Sequence, residues 1–248
     1  MTRKQLEKTA SKSSKAGSVF SGTREIIAPK IKPPRGCRFN QRLKMEGRTL
    51  LGRLPEDSIP AVFFDPQYRG VLDRLQLGNE GRHRERRRAA LKAMTDPDIR
   101  QFILAIDRVL IPSGHLFLWL DKFHLCNGFR DWIEDSGLDV VDLINWNKGK
   151  IGLGYRSRRT TEYCLVLQKA PRKAKGVWIN HSIPDTWPEK IASHRGHPHK
   201  KPVNLQAALI EAVTQEGDLV VDPAAGDFTV LEAARQTNRE FLGCDLNG

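Results

Sequence analysis

The apolar and polar positions alternate between two periods along most of the chain. The run Ala61-Val62-Phe63-Phe64 is uninterrupted and apolar, and Asp65-Pro66 halts it, because proline cannot continue a central strand. Ile99, Phe102, Ile103, Ile106 and Leu110 recur at helical spacing over residues 98–110. Pro112-Ser113-Gly114 reads as a turn and residues 115–120 as a buried strand. Residues 129–136 predict a helix that Gly137 ends. Two further strands are expected at 140–146 and 163–167. An amphipathic helix follows at 203–213, then a turn at Gly217-Asp218, then Leu219-Val220-Val221 running into Asp222-Pro223. A helix at 229–236 leads to Phe241-Leu242-Gly243-Cys244 and Asp245.

Strand alternating with helix predicts an α/β fold, a mostly parallel sheet with helices on both faces. Three of the predicted strands run into an acidic residue at their carboxyl ends: Asp65, Asp222 and Asp245. Open α/β sheets bind ligands at that edge, so the site is expected there.

Composition narrows the partner. The 248 residues suffice for one large α/β domain or two small ones. Lys and Arg number 41 against 29 Asp and Glu, a net charge of +12, which suits a polyanion such as nucleic acid or a merely solubilising surface. No apolar run reaches the ~18 residues of a membrane span, and the start MTRKQLEKTASKSSK has no apolar signal core, so neither a membrane nor an exported protein is expected. Cys37, Cys126, Cys164 and Cys244 are scattered, without C-x-x-C, which fits a reducing cytoplasm. Residues 1–35, with Lys4, Lys8, Lys12 and Lys15 among Ser, Thr and Gly, read as a basic disordered tail; residues 36–248 read as the folded domain.

Two segments carry candidate chemistry. Residues 220–229 (VVDPAAGDFT) form a strand, a tight turn and a helix start, where Gly226 lets backbone approach a ligand and helical N–H groups are left open. Asp245, about twenty residues on, stands where a carboxylate accepts ribose hydroxyls. The turn lacks G-x-G-x-x-G, which disfavours a dinucleotide; a structural turn with capping acids is the bland alternative. In Asp65-Pro66-Gln67-Tyr68, an acceptor, a rigid proline and an aromatic ring suit a planar group that bears an amine, although any strand-to-turn junction can carry such a tetrapeptide.

Taken together, the segments resemble a known family. Gly196-His197-Pro198-His199-Lys200-Lys201-Pro202, followed by a helix, Gly217-Asp218 and Val221-Asp222-Pro223-Ala224-Ala225-Gly226, is similar to the linked motifs X and I of amino-methylating DNA methyltransferases. Residues 54–58 leading into 64–68 resemble their motif IV, usually D-P-P-Y. Motif IV comes first, the circularly permuted β-class order, and the likeness spans roughly residues 40–248. It implies a Rossmann-like sheet of seven strands, one reversed, with residues 39–44 supplying at the N-terminus the strand missing from the C-terminus.

The resemblance also implies a reaction: methyl transfer from S-adenosylmethionine to an exocyclic amine of a base flipped out of DNA. Asp65 and the Pro66 carbonyl would accept the amine's hydrogens, with Gln67 completing the loop and Tyr68 stacking on the base. Asp at the first position is similar to N6-adenine members; Ser there is more usual for N4-cytosine. Asp222, Ala224, Gly226, Asp227 and Thr229 would line the methionine region, Asp245 would hold the ribose, and Lys201 with His197 would close the pocket. The chain departs from the pattern at Gln67 (usually Pro), Ala224 (usually Phe), Asp227-Phe228 (usually Ser-Gly) and Arg48 (commonly acidic). These departures leave Phe228 to wall the pocket from another angle and Glu46 to substitute for the missing acid.

Basic runs flank these motifs. Arg82, Arg84, Arg86, Arg87 and Arg88 follow motif IV directly and suit phosphate contacts, against the bland reading of a solvated helix face. Arg156, Arg158 and Arg159 resemble a DNA-facing loop of the family, with use in a structural turn as the alternative. Residues 170–195 leave room for a short target-recognition insertion, in which Trp178, Trp187 and Arg172 either touch bases or pack on the core. So small a reader implies a short site or a homodimer in which the partner contributes. His194, His197 and His199 have metal-like spacing without an acidic or Cys partner, so no metal is expected. The rival functions are an inactive DNA-binding partner subunit and a methyltransferase acting on RNA or a protein amide.

Overall fold

The computed structural model describes residues 27–67, 93–152, 156–190 and 200–248. Tyr68, the arginine run 82–88, and His194, His197 and His199 lie outside the described residues. The elements are β1 (Arg42–Lys44), α1 (Gly47–Gly52), β2 (Ile59–Phe64), α2 (Asp96–Val109), β3 (Leu110–Leu120), α3 (Lys122–Asn127) and α4 (Arg130–Ile133). They continue with β4 (Leu138–Asn147), β5 (Thr161–Lys169), β6 (Thr186–Pro188), α5 (Val203–Val213), β7 (Leu219–Asp222), α6 (Thr229–Gln236) and β8 (Glu240–Asp245).

One sheet takes all eight strands in the order β1-β8-β7-β2-β3-β5-β4-β6. Every pairing is parallel except those of β5 with β3 and β4, so β5 is the single reversed strand. The expected count of seven is exceeded by β6, a three-residue edge strand that pairs with the end of β4. β1 pairs with β8, so the N-terminal segment does complete the sheet beside the C-terminal strand.

The period of two places alternate residues of β2 in separate cores. Val62 and Phe64 join Ile99, Phe102, Ile103 and Ile106 of α2 on one face. Ala61 and Phe63 join Leu205, Leu209 and Ile210 of α5 and Val230 and Leu231 of α6 on the other. Phe63 stacks on Phe117 at 4.7 Å and Phe64 on Phe102 at 5.1 Å, so β2 is clamped from both sides just before the chain reaches Asp65. α2 starts on a capping box, Thr95 accepting from the Asp98 N–H while Asp98 accepts from the Thr95 N–H, with Pro97 in its first turn.

Three local expectations change. Pro112-Ser113-Gly114 turns inside β3 instead of ahead of it: Ile59 faces Leu110 and Ala61 faces His115, so β3 loops out as a bulge with Ser113 at φ +61°. The helix expected at 129–136 is present but shorter, as α4 (Arg130–Ile133), and α3 (Lys122–Asn127) precedes it where no helix was expected. Asp121 starts α3 by accepting from the Phe123 and His124 N–H groups, and Gly128 at φ +124° breaks it. Residues 27–35 have no helix or strand yet are tied down: Ala28 is buried, and Lys30 donates to the Gly217 carbonyl (2.6 Å) and to Asp218 (3.2 Å). No helix among the described residues is long and apolar enough to cross a membrane.

Candidate active site

Because β2, β7 and β8 are parallel neighbours, the acids that follow or end them, Asp65, Asp222 and Asp245, emerge at one edge of the sheet. A cleft opens there, lined by Asp65, Trp119, Lys201 and Gln206 together with Asp222, Ala224, Gly226, Asp227 and Thr229, and by Phe63 and Phe64. Seven residues singled out in the sequence thus meet in one cleft, although they come from chain segments far apart. Pro66 and Gln67 leave β2 beside it, and the Gln67 carbonyl accepts from the Met94 N–H at 2.8 Å. Asp245 ends the next strand but is not part of the wall; its carboxylate accepts from the Asn247 N–H at 2.8 Å.

The turn after β7 holds itself in shape. Asp222 accepts from the Ala224 N–H (3.1 Å), the Ala225 N–H donates to the Cys244 carbonyl (2.9 Å), and the Phe228 N–H donates to the Ala225 carbonyl (2.7 Å). Gly226 sits at φ +48°, and a Cβ there would meet nothing within 4 Å, so this part of the turn faces open space. Behind the turn, a Cβ on Gly47 would lie 2.1 Å from the Pro223 carbonyl oxygen, so α1 can pack this closely only with glycine at its start. Phe228 faces inward, against the expectation that it walls the pocket. It is buried edge-on to Phe241 at 6.3 Å, with the Arg42 guanidinium 5.1 Å over its ring. Its left-handed backbone (φ +59°) at the start of α6 turns the ring into the core.

Charge in the cleft is dominated by carboxylates. Burial pushes the Asp222 carboxyl up to about 8; the Ala224 N–H offsets part of this, and the neighbouring Asp65 and Asp245 charges add to it. Lys201 is the only cation in the described wall. Its ammonium meets Asp65 at 2.8 Å and Glu162 at 3.0 Å, and lies 5.2 Å over the Trp119 ring. Burial opposes its charge, but Asp65 and Glu162 outweigh burial and hold it above the usual lysine range. Glu162 and Trp119 carried no signal in the sequence: one is a lone acid after a basic loop, the other an apolar residue in a buried strand. Asp65 and Asp227 against one lysine, with Asp222 adding a charge when it ionises, suit a cationic ligand, and the open turn at Gly226 gives it backbone access.

Glu46 and Arg48 pair with each other at 3.0 Å beside this edge, and Arg48 also reaches Gln101, so the arginine points to α2. The loop before β5 is partly tied inward. Arg158 donates to the Gly152 carbonyl (2.6 Å), and Arg159 meets Asp121 (3.3 Å) and lies over Phe123; Arg156 is exposed. In the 170–195 excursion, Trp178 and Trp187 pack on the second core and hydrogen-bond locally to the Asn180 carbonyl and to Glu189, and Arg172 pairs with Asp139. Packing thus accounts for the two tryptophans. No His, Cys, Asp and Glu cluster of metal-binding form occurs among the described residues.

A Rossmann-like sheet whose carboxyl edge joins an acidic strand end to an acidic tight turn has the layout of an α/β ligand site, and comparison with known proteins gives the family. Residues 61–248 match the DNA methylase (N6/N4) family, and the chain belongs to it. It is 53% identical over 208 residues to the type II methyltransferase M.HhaII of Haemophilus parahaemolyticus, covering 84% of this chain and 91% of that one. Among solved structures, the fold resembles PvuII DNA methyltransferase (cytosine-N4-specific), with TM-score 0.65 and 16% identity, covering 87% of this chain and 85% of that one. It also resembles M1.HpyAVI, solved as a SAM complex, with TM-score 0.58 and 20% identity, covering 83% and 92%.

Proposed function

We propose that this protein transfers a methyl group from S-adenosylmethionine to the N6 amine of adenine flipped out of DNA, as the β-class modification enzyme of a type II system. One observation carries the reading: Asp65, directly after β2, shares a cleft with the Asp222–Thr229 turn after the neighbouring β7, so an amine acceptor and a cofactor cradle meet in one place. The N-terminal strand completing the sheet beside β8 supports the permuted order. The 53% identity to a type II methyltransferase over most of both chains supports the DNA substrate.

The bound cofactor supplies a methyl group already activated on a sulfonium, so no covalent enzyme intermediate is required. Burial holds the Cys164 and Cys244 thiols protonated, which fits that route. Asp227, and Asp222 in its ionised form, favour the cationic donor, while Ala224, Gly226 and Thr229 leave room for it along the turn; Lys201 and His197 close the pocket and Asp245 takes the ribose. Asp65 and the Pro66 carbonyl accept hydrogen bonds from the amine, localise its lone pair and aim it in line with the methyl, and the methylated amine then gives up one proton. The Gln67 carbonyl is fixed by the Met94 N–H, which steadies the backbone after Pro66, and Tyr68 stacks on the base. Flipping costs a few kcal/mol, roughly, which phosphate contacts from Arg82, Arg84, Arg86, Arg87, Arg88, Arg156, Arg158 and Arg159 offset. Residues 36–248 form the catalytic domain, with a short target reader near 170–195, working on cytoplasmic DNA alone or as a homodimer.

Asp at the first position of the tetrapeptide favours adenine over cytosine. The test is transfer of labelled methyl to unmethylated DNA, followed by digestion to nucleosides. Label in N6-methyladenine is expected; label in N4-methylcytosine would overturn the base assignment and keep the mechanism.

A further inference from the structure

Four charged side chains alternate in sign from the cleft into the flank of the sheet. Asp65 meets Lys201 at 2.8 Å, Lys201 meets Glu162 at 3.0 Å, and Glu162 meets Lys148 at 2.6 Å. They come from four segments: the end of β2, the residue before the Pro202 cap of α5, the start of β5 and the residue after β4. Each ammonium also lies over an indole, Lys201 at 5.2 Å from Trp119 and Lys148 at 5.5 Å from Trp146, and those two indoles meet edge to face at 6.0 Å. Side-chain exposure is 40% at Asp65 but only 14% at Lys201, 26% at Glu162 and 18% at Lys148, so the chain is anchored in the interior and ends at the reacting edge.

A lysine held only by Asp65 has other carboxylates to follow, because Asp222 and Asp227 wall the same cleft. Glu162 lies outside that wall and binds the same ammonium at 3.0 Å, a second anchor that holds it beside Asp65. The two lysines, outweighing burial, hold the Glu162 carboxyl down to about 2, so it is ionised throughout the working range.

The geometry points to Glu162 as a positioning residue for methyl transfer: it holds Lys201 against Asp65, and Lys148 in turn holds Glu162. This rests on the reading of Asp65 as the acceptor for the target amine. Glu162 touches neither base nor cofactor; it acts through Lys201. An acceptor displaced by an ångström loses catalysis on the order of a hundredfold without losing ligand affinity, so the effect falls on kcat.

The test uses the full chain, total labelled methyl transferred to DNA whichever base carries it, and calorimetric binding of S-adenosylhomocysteine. Glu162→Gln is expected to lower kcat by roughly ten- to a hundredfold and to raise the S-adenosylhomocysteine Kd by a clearly smaller factor, because Lys201 also closes the cofactor pocket. Lys148→Met is expected to lower kcat less, and to have no further effect in the Glu162→Gln background, because it acts only through Glu162. Glu162→Asp keeps the charge but shortens the reach; it is expected to show the same kcat loss in part, and it serves if the Gln variant does not fold. Wild-type kcat in the Glu162 variants would overturn the proposal. So would a matching loss of S-adenosylhomocysteine binding, or an additive Lys148 effect. A wild-type protein that labels no DNA would sink the functional reading itself, and the proposal with it.

Discussion

Replacing Asp222 by Asn removes a carboxylate that the fold holds largely protonated. Burial, reinforced by Asp65 and Asp245, raises this carboxyl from an ordinary value of 3.8 to about 8. Above pH 3.8 the unfolded chain releases this proton while the folded one keeps it, so the group costs stability as pH rises and the full cost is reached near pH 8. At pH 7 the cost is about 4 kcal/mol, taking 1.36 kcal/mol for each pH unit above the ordinary value. Asn fills the same space and still accepts from the Ala224 N–H, which now donates to Asp222 at 3.1 Å. The ligand-free Asp222→Asn protein should therefore melt roughly 10 °C higher than wild type at pH 7, with the gap closing toward pH 4. Thermal melts across pH 4 to 9 measure it. The same change should weaken the cationic methyl donor. Binding to wild type should tighten as pH rises toward 8, because the ionised carboxylate is the form that favours a cation, and the variant should lose that dependence. A gap between variant and wild type that is no larger at pH 8 than at pH 5 would refute the reasoning, since it would mean that Asp222 ionises in the fold at no cost.

Asp65→Ala should abolish methyl transfer while S-adenosylhomocysteine still binds; calorimetry beside a label-transfer assay checks both, and undiminished turnover would remove Asp65 from the mechanism. Replacing Arg86, Arg87 and Arg88 together by Ala should weaken DNA binding and reduce the slope of log affinity against log salt by about two to three, and an unchanged slope would make that run a solvated surface. Gly47→Ala should destabilise by about 1–3 kcal/mol, because the new Cβ would lie 2.1 Å from the Pro223 carbonyl oxygen and 2.6 Å from the Phe102 ring. Its cofactor affinity should drop as the turn is displaced, and chemical denaturation with ligand titration would detect either effect or its absence.

Much of this protein is written in local pattern. α5 and α6 begin and end where the apolar spacing places them, and β2, β7 and β8 stop at the acids that follow or end them, because helical and extended periods and proline breaks act within a few residues. The order of motifs was legible for the same reason: Asp65, Lys201 and Asp222 each sit at a junction that its neighbours define. Only the tertiary structure decided which junctions meet. Nothing near Asp65 in sequence indicates that β2 lies beside β7, a pairing that brings two distant carboxylates into one cleft. The direction of Phe228 was also hidden, since a left-handed backbone and the Phe241 ring set it. Glu162 and Lys148 were invisible because ion pairs form across strands β4 and β5 and across the 39 residues between Glu162 and Lys201. Periodicity and turn chemistry are properties of short segments, and the sequence alone determines them. Charge balance and burial depend on what the rest of the chain brings alongside, and here that decided how the acceptor is held.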